Sequence, residues 1–302
     1  MEETIPMHIA FLGLGLMGAP MVENLLDAGY SLTLWNRTRS KAEAFIGRAH
    51  IADEPAQAVE KADVVILMLE NGPVVDDILM RQGVADAVAA GALLIDMGSV
   101  PPSLPRKHAA YLKTRGVAHL DAPVSGGTVG AAQATLSIMV GGERRQYDKA
   151  QPVFRALGKA TYIGPHGAGQ LAKLANQAIV GITIGAVAEA LMLAAKGGAD
   201  PVAVREALLG GFASSRILDL HGRRMLERDF QPGATARVQH KDLTMILDEA
   251  RAEGLTLPLT GQVFEEYQAL LEAGYENVDH SGLLLHLEAL NQVRLDGRRK
   301  DA

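Results

Sequence analysis

The sequence predicts an α/β domain built on a doubly wound parallel sheet, followed by an all-α domain, the two joined by one long helix. Three observations predict it. Short apolar runs of strand length alternate with helical segments from His8 to Ile163. A glycine-rich turn separates the first strand from the first helix, and every segment beyond Ala195 has helical spacing. The 302 residues, 48% hydrophobic, suffice for two domains, placed at 1–164 and 165–302.

The elements follow in order. His8 to Leu12 is a short apolar strand that enters Gly13, Gly15 and Gly18, and a helix through Met21, Leu25 and Leu26 ends at Gly29. Ser31 to Trp35 is a second strand, followed by a helix through Ala42 and Phe45. Asp63 to Leu69 and Ala92 to Asp96 have the continuous apolar character of strands buried on both faces, with helical segments at Val74 to Met80 and Val84 to Ala90. Such alternation implies a parallel sheet. A helix beginning near Ser103 and strands at Val117 to Asp121, Thr135 to Val140 and Ala160 to Ile163 complete the domain.

Ile163 to Ala195 is the join. Gly164, Pro165, Gly167 and Gly169 make a turn, and a long run without proline follows. Leu171, Leu174, Ala178 and Ile182 form one apolar stripe, and Val180, Ile184, Val187 and Leu191 form another, so the helix is expected to be buried. Near its start Lys173, Asn176 and Gln177 project from roughly one face. Helices at Pro201 to Leu208, Ser215 to Arg228, Lys241 to Glu253, Pro258 to Ala273 and Gly282 to Val293 make up the remainder.

Composition excludes several functions. A net charge of -6 and a pI near 5.9 give no field for nucleic acid, the one short basic cluster being Arg298, Arg299 and Lys300. Without cysteine, and with nine scattered histidines lacking any i, i+4 pair, no metal site is expected. The opening MEETIP is acidic, and the uncharged run Ala178 to Ala188 is shorter than the ~20 residues a membrane span needs. A soluble, cytoplasmic protein without a membrane partner is expected. There is no internal repeat, no G-x-S-x-G elbow and no G-x-x-x-x-G-K loop.

G-x-G-x-x-G between a strand and a helix has a mechanical reading as a Rossmann-like dinucleotide site, formed by Gly13, Leu14, Gly15, Leu16, Met17 and Gly18. The first glycine allows the tight turn, the second lets a pyrophosphate approach, and the third lets helix and strand pack; helix N–H groups then face the phosphates. The second strand ends in Asn36, Arg37 and Thr38, with no carboxylate for a ribose 2′-hydroxyl. A guanidinium and a hydroxyl there favour NADP over NAD, though Asn36 or Thr38 could instead cap the next helix. Leu69 and Ser99 lie at the carboxyl ends of strands, where ligands bind in such sheets; Ser99 could equally cap the helix near Ser103. Ser125, Gly126 and Gly127 would offer a hydroxyl and open N–H groups to a small carboxylate, or form a structural turn.

FLGLGLMGAPMVENLLDAGY, DAPVSGG, GPHGAGQLAKLANQ and HKDL, in this order and spacing, resemble the β-hydroxyacid dehydrogenases related to 3-hydroxyisobutyrate dehydrogenase. GGFASSRILDLHGRRM, KLANQ and the late Asp279 to Ser281 are most similar to the tartronate semialdehyde (2-hydroxy-3-oxopropionate) reductase subgroup. The resemblance implies that Lys173 is the catalytic lysine, that Ser125, Gly126 and Gly127 hold the substrate carboxylate, and that Asn176 lies beside the lysine. It matches Ser99 and Lys241 to cofactor contacts. Gln177, where many members have asparagine, fits the tartronate-type pattern, whereas Glu70, where many have proline, leaves its loop's contacts open.

The expected activity is NADP-preferring reduction of tartronate semialdehyde to glycerate, with Lys173 as general acid and NAD as the other possible cofactor. Dehydrogenases of 3-hydroxyisobutyrate, threonate or D-threonine would use the same loop and lysine. Phe212, Ser214, Ser215 and His240 are candidates for the discriminating pocket, each also explicable by helix packing or capping. A non-catalytic cofactor-binding module would tend to have lost the lysine, and imine reductases usually replace it. A homodimer or homotetramer is implied as well.

Overall fold

The computed structural model describes residues 7–295. The opening six residues and the Arg298, Arg299, Lys300 cluster lie outside the described residues. The chain divides into two compact units, Met1–Lys173 and Leu174–Ala302.

The first unit carries the strands β1 (His8–Leu12), β2 (Ser31–Trp35), β3 (His50–Ile51), β4 (Val64–Leu67), β5 (Leu93–Asp96), β6 (Ala118–Asp121), β7 (Val124–Ser125), β8 (Leu136–Gly142) and β9 (Gly158–Gly164). Its helices are α1 (Gly18–Asp27), α2 (Arg39–Glu43), α3 (Pro55–Val59), α4 (Gly72–Asp76), α5 (Val84–Ala87), α6 (Ser103–Thr114), α7 (Gly127–Ala132) and α8 (Arg144–Arg155). The strand order is β3-β2-β1-β4-β5-β6-β8-β7, with β9 against β8. From β3 to β6 all pairs are parallel. The order reverses at β1, which lies between β2 and β4, and such a switch point opens a crevice at the carboxyl ends of the strands.

Both faces of the sheet are covered. Ile9 and Phe11 enter one apolar cluster with Ile66, Ile95 and Leu120, while Ala10 and Leu12 enter another with Val65, Leu67 and Leu94. Alternate residues of a strand point to opposite faces, so strands buried on both sides read as continuous apolar runs. The expected parallel sheet needs one correction. β8 runs antiparallel to β6 and β7, because the short connection through α7 returns the chain like a hairpin, without a crossover. The two-residue strands β3 and β7 and the helices α3, α7 and α8 have no counterpart in the sequence expectation.

Helix α9 (Ala168–Lys196) passes through the boundary between the units. α10 (Pro201–Leu209), α11 (Arg216–Glu227), α12 (Ala236–Ala252), α13 (Pro258–Glu272) and α14 (Leu283–Asn291) follow. Asp200, Ser215 and Thr235 cap three of them, accepting from the N–H groups of Val202, Leu218 and Val238. The Thr235 cap starts α12 five residues ahead of the expected Lys241. Ile184, Ala188 and Leu191 pack with Leu218, Met225, Leu243, Tyr267 and Leu284 in the core of the second unit.

α9 corrects two expectations. It is not buried all round: Leu171, Ile179 and Leu193 are 39%, 66% and 76% exposed, so one apolar stripe is uncovered. This 29-residue helix also holds an 18-residue stretch with a mean hydropathy of 2.1, and is long and apolar enough to cross a membrane by length and composition. The uncharged run alone had concealed this. Core helices pass the same test, and Leu174, Ile184 and Leu191 here lie in the apolar core of the second unit.

Candidate functional site

In the first unit the site is built at the carboxyl ends of β1, β4, β5 and β6. Gly13 leaves β1 with φ at +107°, and a side chain there would overlap the Met68 carbonyl beyond β4. A Cβ on Gly18 would overlap the Gly13 carbonyl, whereas one on Gly15 would meet nothing within 4 Å. Packing therefore requires the first and third glycines, while the second stands beside open space. α1 starts at Gly18 with no side-chain cap and no acidic residue in its first turn. Such a helix start suits an anionic diphosphate. Leu14 is buried, Leu16 exposed and Met17 half-buried at the start of α1.

Asn36 is not a helix cap. Its Oδ1 accepts from Leu14 N at 2.8 Å and its Nδ2 donates to Thr38 O at 2.8 Å, which fixes the glycine turn against the end of β2. Thr38 precedes α2 without a side-chain capping bond. Arg39 pairs with Glu43 and Asp53, and Arg37 is exposed, in no salt bridge among the described residues. Neither Asn36 nor Thr38 thus takes up the capping role that sequence alone left open.

Leu69 and Ser99 lie beside this turn. A Cβ on Gly13 would come within 3.0 Å of the Leu69 side chain, and one on Gly98 would come within 3.0 Å of the Leu69 carbonyl. Glu70 is exposed, and Asn71, next to it, caps α4 by accepting from Val74 N at 3.0 Å. Ser99 does not cap α6, whose N-cap is Pro102. The loop around Ser99 is gripped instead by Gln170, whose Nε2 donates to Gly98 O at 2.9 Å and whose Oε1 accepts from Val100 N at 3.1 Å.

The start of α9 is anchored by Asp121 at the end of β6. Its carboxylate accepts from Gly167 N at 2.9 Å and Gln170 N at 3.1 Å, two N–H groups that a helix start cannot satisfy internally. Asp96 is its in-register neighbour on β5. Both carboxyls are fully buried. Asp96 Oδ1 accepts from Gly98 N at 3.0 Å, while Oδ2 has no hydrogen-bond partner among the described residues. Burial first, and the Asp121 charge after it, push Asp96 up to about 7 against the pull of Gly98 N. Burial also raises Asp121, with the Gly167 and Gln170 N–H groups opposing. Half-buried Lys173 follows one turn after Gln170 on the same face of α9.

Ser125 sits on β7 opposite Ser137, and Gly126 and Gly127, both at positive φ, lead into α7. A Cβ on Gly127 would meet nothing within 4 Å, so its backbone is open to a ligand.

In the second unit the structure joins Asn176, Gln177 and Lys241 through a residue that sequence reading passed over. Asn176 Nδ2 donates to Gln177 Oε1 at 2.8 Å, and Gln177 Nε2 donates to buried Asp242 Oδ2 at 2.6 Å. The other oxygen of Asp242 lies 3.3 Å from Lys241 Nζ. His240 stacks on Phe264 with ring centroids 4.7 Å apart, and burial lowers its pKa, favouring the neutral ring. Phe212 is fully exposed after α10. Ser215 is a helix cap, as its alternative reading had it, and Ser214 is exposed.

Asp96, Asp121, Gln170 and Asp242 are the residues missed. The available signal was a carboxylate closing each of the apolar strands LLID and HLD, and a glutamine one turn before Lys173.

Residues 8–164 match the NAD binding domain of 6-phosphogluconate dehydrogenase, and residues 167–287 match the NAD-binding domain of NADP-dependent 3-hydroxyisobutyrate dehydrogenase. The chain belongs to the 3-hydroxyisobutyrate dehydrogenase-like family. Its members are NAD(P)-dependent β-hydroxyacid dehydrogenases, and this chain is an oxidoreductase of that kind with a nicotinamide cofactor. It is 41% identical to 2-hydroxy-3-oxopropionate reductase of Escherichia coli over 96% of this chain and 100% of that protein. It is 35% identical to NAD-dependent L-serine dehydrogenase of Pseudomonas aeruginosa, over 91% and 95%. Among solved structures, 3-hydroxyisobutyrate dehydrogenase of Mycobacterium tuberculosis with L-serine superposes with a TM-score of 0.85 at 33% identity, over 94% and 99%. The open Gly15 and the uncapped start of α1 fit a dinucleotide.

Proposed function

We propose that this chain reduces tartronate semialdehyde to glycerate, using NADPH in preference to NADH. The observation that carries the reading is the 41% identity to the E. coli 2-hydroxy-3-oxopropionate reductase along essentially both full lengths. Exposed Arg37 at the end of β2, with no carboxylate next to it and Arg39 already neutralised, supports the cofactor preference.

The nicotinamide, when bound, supplies the hydride. The chain's own groups do the rest. Ser125, Gly126 and Gly127, the last with open space beside its backbone, hold the substrate carboxylate. As the aldehyde oxygen gains negative charge, the Lys173 ammonium stabilises it and donates the proton that completes the alcohol. Reduction needs the ammonium form, which has a proton to give, and oxidation needs the neutral amine, which can take one up. Asn176 and Gln177, which Asp242 holds in place, are further substrate contacts in this reading. A second copy of the chain covering the exposed apolar stripe of α9 would make the enzyme a homo-oligomer.

A second reading has its own support: relatives include an NAD-dependent L-serine dehydrogenase, and L-serine carries the same carboxylate and 3-hydroxyl. Nicotinamide absorbance separates the two. Initial rates with NADPH and NADH against tartronate, methylmalonate and succinate semialdehydes, and with NADP and NAD against L-serine and 3-hydroxyisobutyrate, should be highest for NADPH with tartronate semialdehyde. Fastest turnover with L-serine and NAD would replace the proposal.

A further inference from the structure

Gln170 is fully buried, and each polar atom of its side-chain amide makes a hydrogen bond to the backbone on either side of Ser99. Its own N–H is held by Asp121, which also holds Gly167 at the first turn of α9. One side chain therefore fixes two things at once, the path of the Gly98–Val100 loop and the start of the helix carrying Lys173 one turn later. Resting on the reductase reading above, we infer that Gln170 is a positioning residue: it sets the Ser99 loop, on the cofactor side, in register with the Lys173 ammonium.

The geometry supports this over a purely structural role. A buried loop can satisfy one N–H and one carbonyl in many ways, but this glutamine bridges the two peptide groups flanking a single residue. Its donor and acceptor ends are both used, so neither can rotate without breaking a bond. Asp96 reinforces the arrangement by accepting from Gly98 N at 3.0 Å. Three consecutive residues, Gly98, Ser99 and Val100, are thereby fixed by side chains from β5 and α9. Misplacement by about 1 Å at a hydride-transfer site costs on the order of 100-fold in rate, which makes such fixing consequential.

The test uses two variants of the full-length protein. Gln170→Leu removes both bonds. Gln170→Glu retains them only while protonated, since a neutral carboxyl can still accept from Val100 N and donate to Gly98 O, whereas a carboxylate cannot donate. Beside buried Asp121 the new carboxyl should titrate well above the ordinary range. Each variant is first checked for folding by the fluorescence of Trp35 and for NADPH affinity by titration.

Gln170→Leu should keep NADPH affinity within about fivefold but lose roughly 10- to 100-fold in kcat, at every pH, with a raised primary isotope effect from 4-deuterated NADPH. Gln170→Glu should approach the wild-type rate near pH 5.5 and fall at least about tenfold behind it by pH 8.5. A merely structural role would lower the active fraction and leave the isotope effect unchanged. A folded Gln170→Leu protein with the wild-type kcat and isotope effect would overturn the positioning role alone. A folded Gln170→Glu protein whose rate relative to wild type does not change with pH would do the same. If the wild type reduced no semialdehyde, the reductase reading would fall and this role with it.

Discussion

Replacing Asp96 by asparagine should make the first unit more stable as the pH rises, relative to the wild type. Asp96 is completely buried, with one oxygen accepting from Gly98 N and the other unpartnered among the described residues. Burial raises its pKa from 3.8 to about 7. The sign follows from linkage. Between these values the unfolded chain releases a proton that the folded chain keeps, so stability falls as the pH rises through that interval and levels off above about 7. At about 1.4 kcal/mol per unit, the accumulated loss is on the order of 4 kcal/mol. The Asp96→Asn variant would keep the bond from Gly98 N and lack the titration, adding only a pH-independent cost of about 1–3 kcal/mol for its unpartnered amide. Trp35, the sole tryptophan, is buried at the end of β2 and reports this unit's unfolding. Urea midpoints followed by its fluorescence from pH 4 to pH 8.5 give the difference between the two proteins. That difference should drift toward the variant by up to about 4 kcal/mol and flatten near pH 7. Parallel pH curves would refute the claim that Asp96 is carried as a neutral acid.

Arg37→Ala should raise the KM for NADPH roughly 10- to 100-fold, the loss of a hydrogen bond to a charged group, and leave that for NADH within a factor of about two; initial rates with each cofactor decide. Gly13→Ala would place a methyl group against the Met68 carbonyl at φ +107°, so NADPH binding measured by fluorescence titration should be lost or the first unit destabilised by several kcal/mol. Asp279 accepts from Ser281, Gly233 and Ala234 and pairs with Arg224. Burial works to raise its pKa, but the His221 ring 3.5 Å away, neighbouring His280 and the Ser281 hydrogen bonds together hold it below the usual carboxylate range. Its stabilisation is thus present above the ordinary carboxylate pKa and lost as the pH falls below it. Asp279→Ala should cost the second unit about 3–5 kcal/mol at pH 7, measured by hydrogen exchange in α11 and α13, by removing the carboxylate that Arg224 and the N–H groups of Gly233, Ala234 and Ser281 share.

The sequence made the sheet legible because its strands are buried on both faces and so read as apolar runs, and because Gly13 and Gly18 sit where no side chain fits. The reversal at β8 was hidden, since strand direction depends on the length of the connection rather than on any residue within the strand. α8 carries Pro152 in its interior, which masks a helix in a local reading. The exposure of Leu171, Ile179 and Leu193 was equally hidden: an apolar stripe looks the same whether its own fold covers it or not. Among the candidate residues, the glycines and Lys173 stood out by residue type. Gln170, Asp121 and Asp242 did not, because each acts through backbone or side chains distant in sequence. Asn36 shows the same limit: its real partner, Leu14 N, is 22 positions away, and sequence offered only a local cap.

Under the proposed function, Lys173 supplies the proton for an aldehyde reduced at this site. The most direct test is a single turnover of enzyme-bound NADPH with tartronate semialdehyde, followed by nicotinamide absorbance in the wild type and in Lys173→Ala. The variant should bind NADPH normally and oxidise it about three decades more slowly, with glycerate as the wild-type product. A Lys173→Ala protein that reduces the aldehyde within about tenfold of the wild-type rate would contradict this role.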